Sequence, residues 1–275
     1  MLGTATEFLT RFFVEDLPFT PTARQIDVFL SDLGLVNPHL MAGALKEVRA
    51  GIVGSVLVYQ PNDWRRLIFQ IYNRKVAEHA QLYPIFHTFE TSFRSTVAVT
   101  LEDHYRHPRW WAGIYQQLRK GNPATTISQV SGVPMPKHAA HRIGQILIAI
   151  DGDQFRRNIV AGLKNGYEFA ERCDLRQIRQ LIVEHWKPVF EDQFVRPQKR
   201  LTQADFRAKF DRVLEARNDV YHHKPVARLN NVVATAEELL DYLDCSIDFV
   251  YQKIKDATPK SPHFSVQIEP RHNTY

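Results

Sequence analysis

Cysteine is almost missing from this chain. Only Cys173 and Cys245 occur among 275 residues, far apart and without a partner at ligand spacing. That argues against a disulfide scaffold and a zinc–cysteine site, and it suits a reducing cytoplasm. Long apolar runs are missing as well. The most apolar stretch, Ile52 to Tyr59, falls far short of the roughly 20 residues a membrane helix needs, so no membrane association is expected. The N-terminal stretch carries Glu7, Glu15 and Asp16 and lacks a cleavable apolar region, so no signal peptide is expected. There is no glycine-rich phosphate loop, nucleophile elbow or dinucleotide fingerprint, and no internal repeat or low-complexity tract.

What is present is an ordinary globular composition, 44% hydrophobic and 24% charged, long enough for one generous core or two small ones. The net charge of +5 is concentrated. Between Arg196 and Arg228 nine lysines and arginines face four acids, an excess equal to that of the whole chain. A basic segment of this kind draws polyanions; its plainer reading is a solvated face.

The pattern is mostly helical. One long helical stretch runs from Asp63 to about Tyr105, with a break expected near Pro84. Its stripe of Leu82, Phe86, Phe89, Phe93, Val97 and Leu101 recurs at steps of three and four and marks core. Trp110 and Trp111 open a short helix that ends near Gly121. The segment 131–136 reads as loop, and a helix follows from Lys137 to Ile150. Asp174 to His185 reads as a helix with Leu175, Ile178, Leu181 and Ile182 on one side and Arg172, Arg176 and Arg179 on another. Arg196-Pro197 opens a basic linker. Thr202, three residues before Asp205, has the signature of an N-cap, and its helix directs Phe206, Phe210, Val213 and Leu214 inward. That helix must end by Lys224, because Pro225 disfavours helical backbone before it. A last helix is expected over about 232–254, burying Leu239, Leu240, Leu243, Ile247 and Val250. In the first ~60 residues glycines interrupt the apolar pattern, and 51–59 is compatible with a strand.

The stretch with most chemical content is Arg217-Asn218-Asp219-Val220-Tyr221-His222-His223-Lys224-Pro225. Arginine forks onto phosphate, and histidine both takes and gives a proton near neutral pH. On an ideal helix Asn218, Tyr221 and His222 share a face, while Arg217 lies about 140° from His222. The two therefore converge on one phosphate only if the last turn is distorted or if a second copy of the chain completes the site. Spacing alone is weak: Arg74 with His79 matches it too, and Arg179 with His185 nearly does.

Arg217-Asn218-x-x-x-His222-His223-x-Pro225 resembles the R-x(4–6)-H signature of HEPN domains, most closely the RN…HH-x-P form of the abortive-infection (Abi-like) group. The segment Tyr83-Pro84-x-x-His87-x-x-Glu90-x-x-x-Arg94 and the pair Trp110-Trp111 are similar to that group upstream, as is the helix ending in His185-Trp186. Ser95 and Lys224 stand where the group usually has asparagine and glutamate. The resemblance implies an all-α HEPN-type helical bundle over 63–257; the first 62 residues read as an N-terminal extension or small accessory region, and the polar, proline-containing residues 258–275 as a flexible tail. It implies a homodimer, and commonly a metal-independent endoribonuclease of toxin–antitoxin or antiphage systems, with RNA as substrate and a cognate antitoxin or regulator as partner. In that reading Arg217 stabilises charge on the scissile phosphate, His222 moves a proton, and Asn218 orients one or the other. His223, Tyr221 and a Glu90–Arg94 ion pair support them, and Lys224, Arg212, Lys199 and Arg200 contact RNA.

No cofactor is expected. The pairs His104/His107 and His138/His141 have a spacing open to a metal but no accompanying carboxylate or cysteine, and no metal site is expected. The Trp pair is either a base-stacking surface or core. Two rivals to the enzyme stand: a non-catalytic HEPN module that binds RNA or a partner protein, and an interaction protein in which Arg217 and His222 only stabilise a dimer interface.

Overall fold

A computed structural model describes residues 22–33, 35–53, 64–152, 155–226 and 228–246. The described chain is all-α, 74% helix against 4% strand, with eleven α-helices among the described residues. It divides into two compact units: one takes the described residues up to Tyr83 together with 217–226, the other takes Pro84–Ala216 and those from Arg228 onward.

In the first unit, α1 (Ala23–Leu33), α2 (Pro38–Val53) and α3 (Trp64–Ala80) enclose a core of Phe29, Leu40, Met41, Leu45, Trp64, Ile68 and Phe69. Each helix start has a local cause. The Thr22 hydroxyl accepts from the Gln25 N–H while the Gln25 side chain accepts from the Thr22 N–H, a capping box. The Asn37 carboxamide accepts from the N–H groups of His39 and Leu40. Asp32, buried in α1, is neutralised by Arg65 of α3, whose Nε lies 2.8 Å from its carboxylate. Of the stretch 51–59, compatible in sequence with a strand, residues 51–53 close α2 as helix, and 54–59 lie outside the described residues.

The expected break in the 63–105 pattern is real, and it comes at Gln81. Helix α4 (Leu82–Tyr105) starts just after it and holds Pro84 in its first turn, where a missing N–H costs nothing. The whole predicted stripe of α4 is buried.

In the second unit, α5 (Ala112–Arg119), α6 (Lys137–Asp151), α7 (Ile159–Gly162), α8 (Gly166–Arg172) and α9 (Leu175–Glu184) follow α4. Asp174 caps α9 in a capping box with Gln177. After α9 the chain widens into a π turn over Trp186–Phe190, where the Phe190 N–H reaches back to the His185 carbonyl at 3.3 Å and Pro188 has no N–H to offer. Helix α10 (Gln203–Tyr221) places Phe206 and Phe210 among Phe89, Phe93 and Phe194, with ring centroids 4.8–6.1 Å apart. The Thr202 cap on α10 is present: its hydroxyl accepts from the Asp205 N–H at 3.1 Å.

Four sequence expectations change here. The loop over 131–136 contains a two-residue-per-strand hairpin, β1 (Gln129–Val130) with β2 (Val133–Pro134), turned by Ser131 and Gly132, both at positive φ as a type I′ turn requires. The basic linker is a second hairpin, β3 (Val195–Arg196) with β4 (Lys199–Arg200). Arg179, expected on a side apart from the apolar residues of α9, is buried as they are and pairs with Asp211 at 2.6 Å. The last helix, α11 (Leu229–Asp241), stops at Asp241. There the chain turns at Asp244 (φ 55°), with the Cys245 N–H on the Leu240 carbonyl at 3.1 Å and the Asp244 N–H on the Asp241 carbonyl at 3.1 Å. Leu239 and Leu240 are buried as expected, Leu243 is half-buried, and Ile247 and Val250 lie outside the described residues. Trp110 and Trp111 are core, 1% and 0% exposed, which closes the base-stacking reading.

Candidate functional site

The signature segment ends α10. Helical bonding persists one residue beyond the helix, the His222 N–H meeting the Asn218 carbonyl at 3.0 Å. The chain then reverses at His223, whose φ of 55° is left-handed. The His223 N–H bonds the Val220 carbonyl at 2.9 Å and the Lys224 N–H bonds the Asp219 carbonyl at 2.7 Å. This pair of bonds is a Schellman cap, with His223 in the position glycine usually takes. Pro225 follows where it cannot continue the helix.

Arg217 lies over the ring of Tyr221, one turn along the helix. The guanidinium carbon lies 4.0 Å from the Tyr221 ring centroid, a cation–π contact of about 0.5–2 kcal/mol. The same guanidinium approaches the Asn218 carboxamide oxygen at 3.3 Å. Arg217 and Asn218 are half-buried; Tyr221, His222, His223 and Lys224 are exposed. Tyr221 in turn meets the edge of Tyr83 at 5.3 Å, and the Tyr83 hydroxyl donates to the Val220 carbonyl at 3.4 Å.

One member of this neighbourhood was not singled out as a site residue from the sequence. His79, the second-last residue of α3, is 8% exposed, with Nε2 3.3 Å from the Lys224 carbonyl oxygen and its ring 6.1 Å from those of His223 and Tyr83. Burial pushes its pKa down, and the nearby His223 adds to that. In the sequence His79 is visible only as a chance partner of Arg74. Arg74 is instead bound to Glu47 and Glu78. No sequence signal joins His79 to a segment 145 positions away.

The supporting residues have other partners. Glu90 and Arg94 make the expected ion pair at 2.7 Å, and Arg94 also donates to the carbonyls of Ala170 and Cys173 at the end of α8. Lys199 and Lys209 both bind Glu238, Arg200 binds Glu191 at 2.7 Å, and Arg196 binds Asp244 at 2.7 Å. Much of the local positive excess is thus compensated by acids from outside the segment. Arg212 is exposed, its guanidinium 3.4 Å from the Thr235 hydroxyl.

Three histidine positions have structural roles. His185 is fully buried, with Nδ1 2.8 Å from the Leu181 carbonyl oxygen and Nε2 3.0 Å from the Tyr105 hydroxyl. A carbonyl only accepts, so Nδ1 carries the proton and Nε2 accepts from Tyr105. Burial lowers the His185 pKa to about 4. His138 lies against Glu184 and His141 against Gln145. Among the described residues no cluster of three or more His, Cys, Asp or Glu is placed to hold a metal ion. No helix among them is long and apolar enough to cross a membrane.

No protein-family model, curated protein or solved structure matches the chain.

Proposed function

We propose that this chain is a HEPN-type endoribonuclease of the Abi-like kind, acting on RNA without a metal as a toxin or antiphage effector in the cytoplasm. The observation that carries the reading is the end of α10. An arginine held on a tyrosine face and bonded to an asparagine is followed directly by an exposed histidine on a capped turn. The resemblance of the same residues to the HEPN signature supports it.

The chemistry asks little of the protein, because RNA supplies its own nucleophile. The 2′-oxygen bonds to phosphorus, the bond from phosphorus to the 5′-oxygen breaks, one proton leaves the 2′-hydroxyl and one reaches the departing 5′-oxygen. The products are a 2′,3′-cyclic phosphate and a 5′-hydroxyl. Arg217 stabilises the charge on the phosphate, Asn218 orients it, and His222 moves a proton. Lys224, beside them, adds positive charge for the RNA backbone.

The course of α10 bears on the assembly. Since helical bonding extends to the His222 N–H, the last turn is regular up to that residue, and Arg217 and His222 keep their divergence of about 140°. A homodimer, with two such ends across a two-fold axis, supplies both groups to one phosphate. A cognate antitoxin or regulator would then cover that cleft.

The test is purified protein with mixed RNA in excess EDTA, beside Arg217→Ala and His222→Ala, with product ends analysed. Expected are cyclic-phosphate and 5′-hydroxyl ends from wild type only, and growth arrest on expression that both variants relieve. Intact RNA without growth arrest, or equal cutting by the variants, overturns the enzyme. RNA binding without cutting then supports the non-catalytic module. Neither binding nor cutting, with a variant-sensitive dimer, supports the interface role.

A further inference from the structure

We propose that His79 is a positioning residue of this site: it holds the Lys224 carbonyl and so sets the direction in which the His222–His223 turn leaves α10. The role in catalysis rests on the ribonuclease reading above; the role in holding the turn does not.

Lys224 is held at both of its backbone polar groups. Its N–H is fixed by the helix itself, through the Asp219 carbonyl at 2.7 Å, and its carbonyl faces His79 Nε2 at 3.3 Å. Because a carbonyl only accepts, Nε2 of His79 carries the proton and donates it. Residue 224 is therefore tied on both sides, to the end of α10 and to the last turn of α3. His222 and His223 are the residues strung between the helix and that tie.

Such a tie matters because the turn is costly. His223 adopts a left-handed φ of 55°, which a residue with a Cβ resists. A cap built on an unfavourable residue needs restraint from elsewhere. His79 supplies it twice, by its hydrogen bond and by its ring against His223. Burial favours the neutral ring, with one nitrogen committed as donor. The Tyr83 hydroxyl adds a weaker tie one turn back, on the Val220 carbonyl. A histidine 8% exposed at a helix end, bonded to a carbonyl beside the proposed catalytic residue, has a purpose that its own helix does not explain.

The experiment compares full-length wild type with His79→Leu, which removes the donor, and His79→Gln, whose amide N–H reaches the same carbonyl. Amide hydrogen exchange is read at His223 and Lys224, and single-turnover RNA cleavage gives the catalytic rate and the half-saturating RNA concentration separately. In His79→Leu the two amides exchange at least tenfold faster, the cleavage rate falls at least tenfold, and half-saturation moves less than twofold. His79→Gln restores most of both. Unchanged exchange in His79→Leu, a cleavage rate within twofold of wild type, or a glutamine variant as impaired as the leucine one overturns the proposal. Should His79→Leu not fold, His79→Asn, too short to reach, takes its place against His79→Gln. If wild type cuts no RNA, the ribonuclease reading falls, and the exchange arm alone still decides whether His79 holds the turn.

Discussion

The guanidinium of Arg217 rests on the ring of Tyr221, 4.0 Å from its centroid. The arginine that the sequence nominates for a phosphate is thus held in place by a neighbour one turn along its own helix. The contact places the Tyr221 ring, rather than its hydroxyl, beside the arginine of the candidate site.

Tyr221→Phe is expected to keep the platform and leave RNA cleavage within twofold of wild type. Tyr221→Leu removes it, at a cost of about 1 kcal/mol, or about fivefold in the catalytic rate. Single-turnover cleavage, with the melting temperature as a control for folding, checks both.

His223 occupies the glycine position of a Schellman cap at φ 55°. Replacing it by glycine is expected to stabilise the fold by up to about 1 kcal/mol, the relief of the left-handed penalty less the added freedom of the unfolded chain. His223→Val is expected to destabilise by more than about 1 kcal/mol, since a β-branched side chain tolerates that φ worst. Equilibrium denaturation in urea measures both.

His185 gives the molecule an acid-side weakness. Its folded pKa, lowered by burial to about 4, lies below the ordinary value of 6.5. The unfolded state therefore binds the proton first as pH falls. Stability is full above about pH 6.5, declines as pH drops toward 4, and loses up to about 3 kcal/mol from this group. Burial lowers His79 and His104 too, with the same sign. Denaturation free energies from pH 7.5 to 4 should show this slope, and His185→Gln should flatten it.

Gly144 of α6 sits against Ala124 with no room for a side chain. A Cβ there would lie 2.7 Å from the Cβ of Ala124, closer than two carbons approach. Gly144→Ala is expected to destabilise by about 1–3 kcal/mol. Ala124→Gly in the same chain should recover most of that, and a double-mutant cycle reads the coupling directly.

The elements legible in the sequence were those whose cause is local. The Thr202 start and the helix read from Asp174 are each set by a side chain three residues from the N–H it serves. The α4 stripe follows from helical periodicity, because a face that must leave water declares itself at steps of three and four. The end of α10 before Pro225 follows from a steric rule between neighbours. The site segment was legible for the same reason, since Arg217, Asn218, Tyr221 and His222 lie within two turns.

The remainder was settled by contacts between distant positions. The hairpins at 129–134 and 195–200 have strands of two residues, too short for a period to register. The expected helix past Asp241 ends early because Asp244 takes a left-handed turn, a conformation that composition does not announce. Segment charge suggested an open basic surface, yet Glu191, Glu238 and Asp244 meet four of its cations from outside the segment. By itself the sequence determined the helical pattern over 63–105 and the helices near 137–150, 174–185 and from Thr202 onward, the buried stripe of α4, and which short segment carries the candidate chemistry. Only the tertiary structure decided what those residues touch: Arg94 on the end of α8, Arg179 buried on Asp211, and His79 on the carbonyl of Lys224. The physical reason is reach. Propensity, periodicity and capping act over a few residues, whereas a hydrogen bond between positions 79 and 224 exists only once the chain has folded.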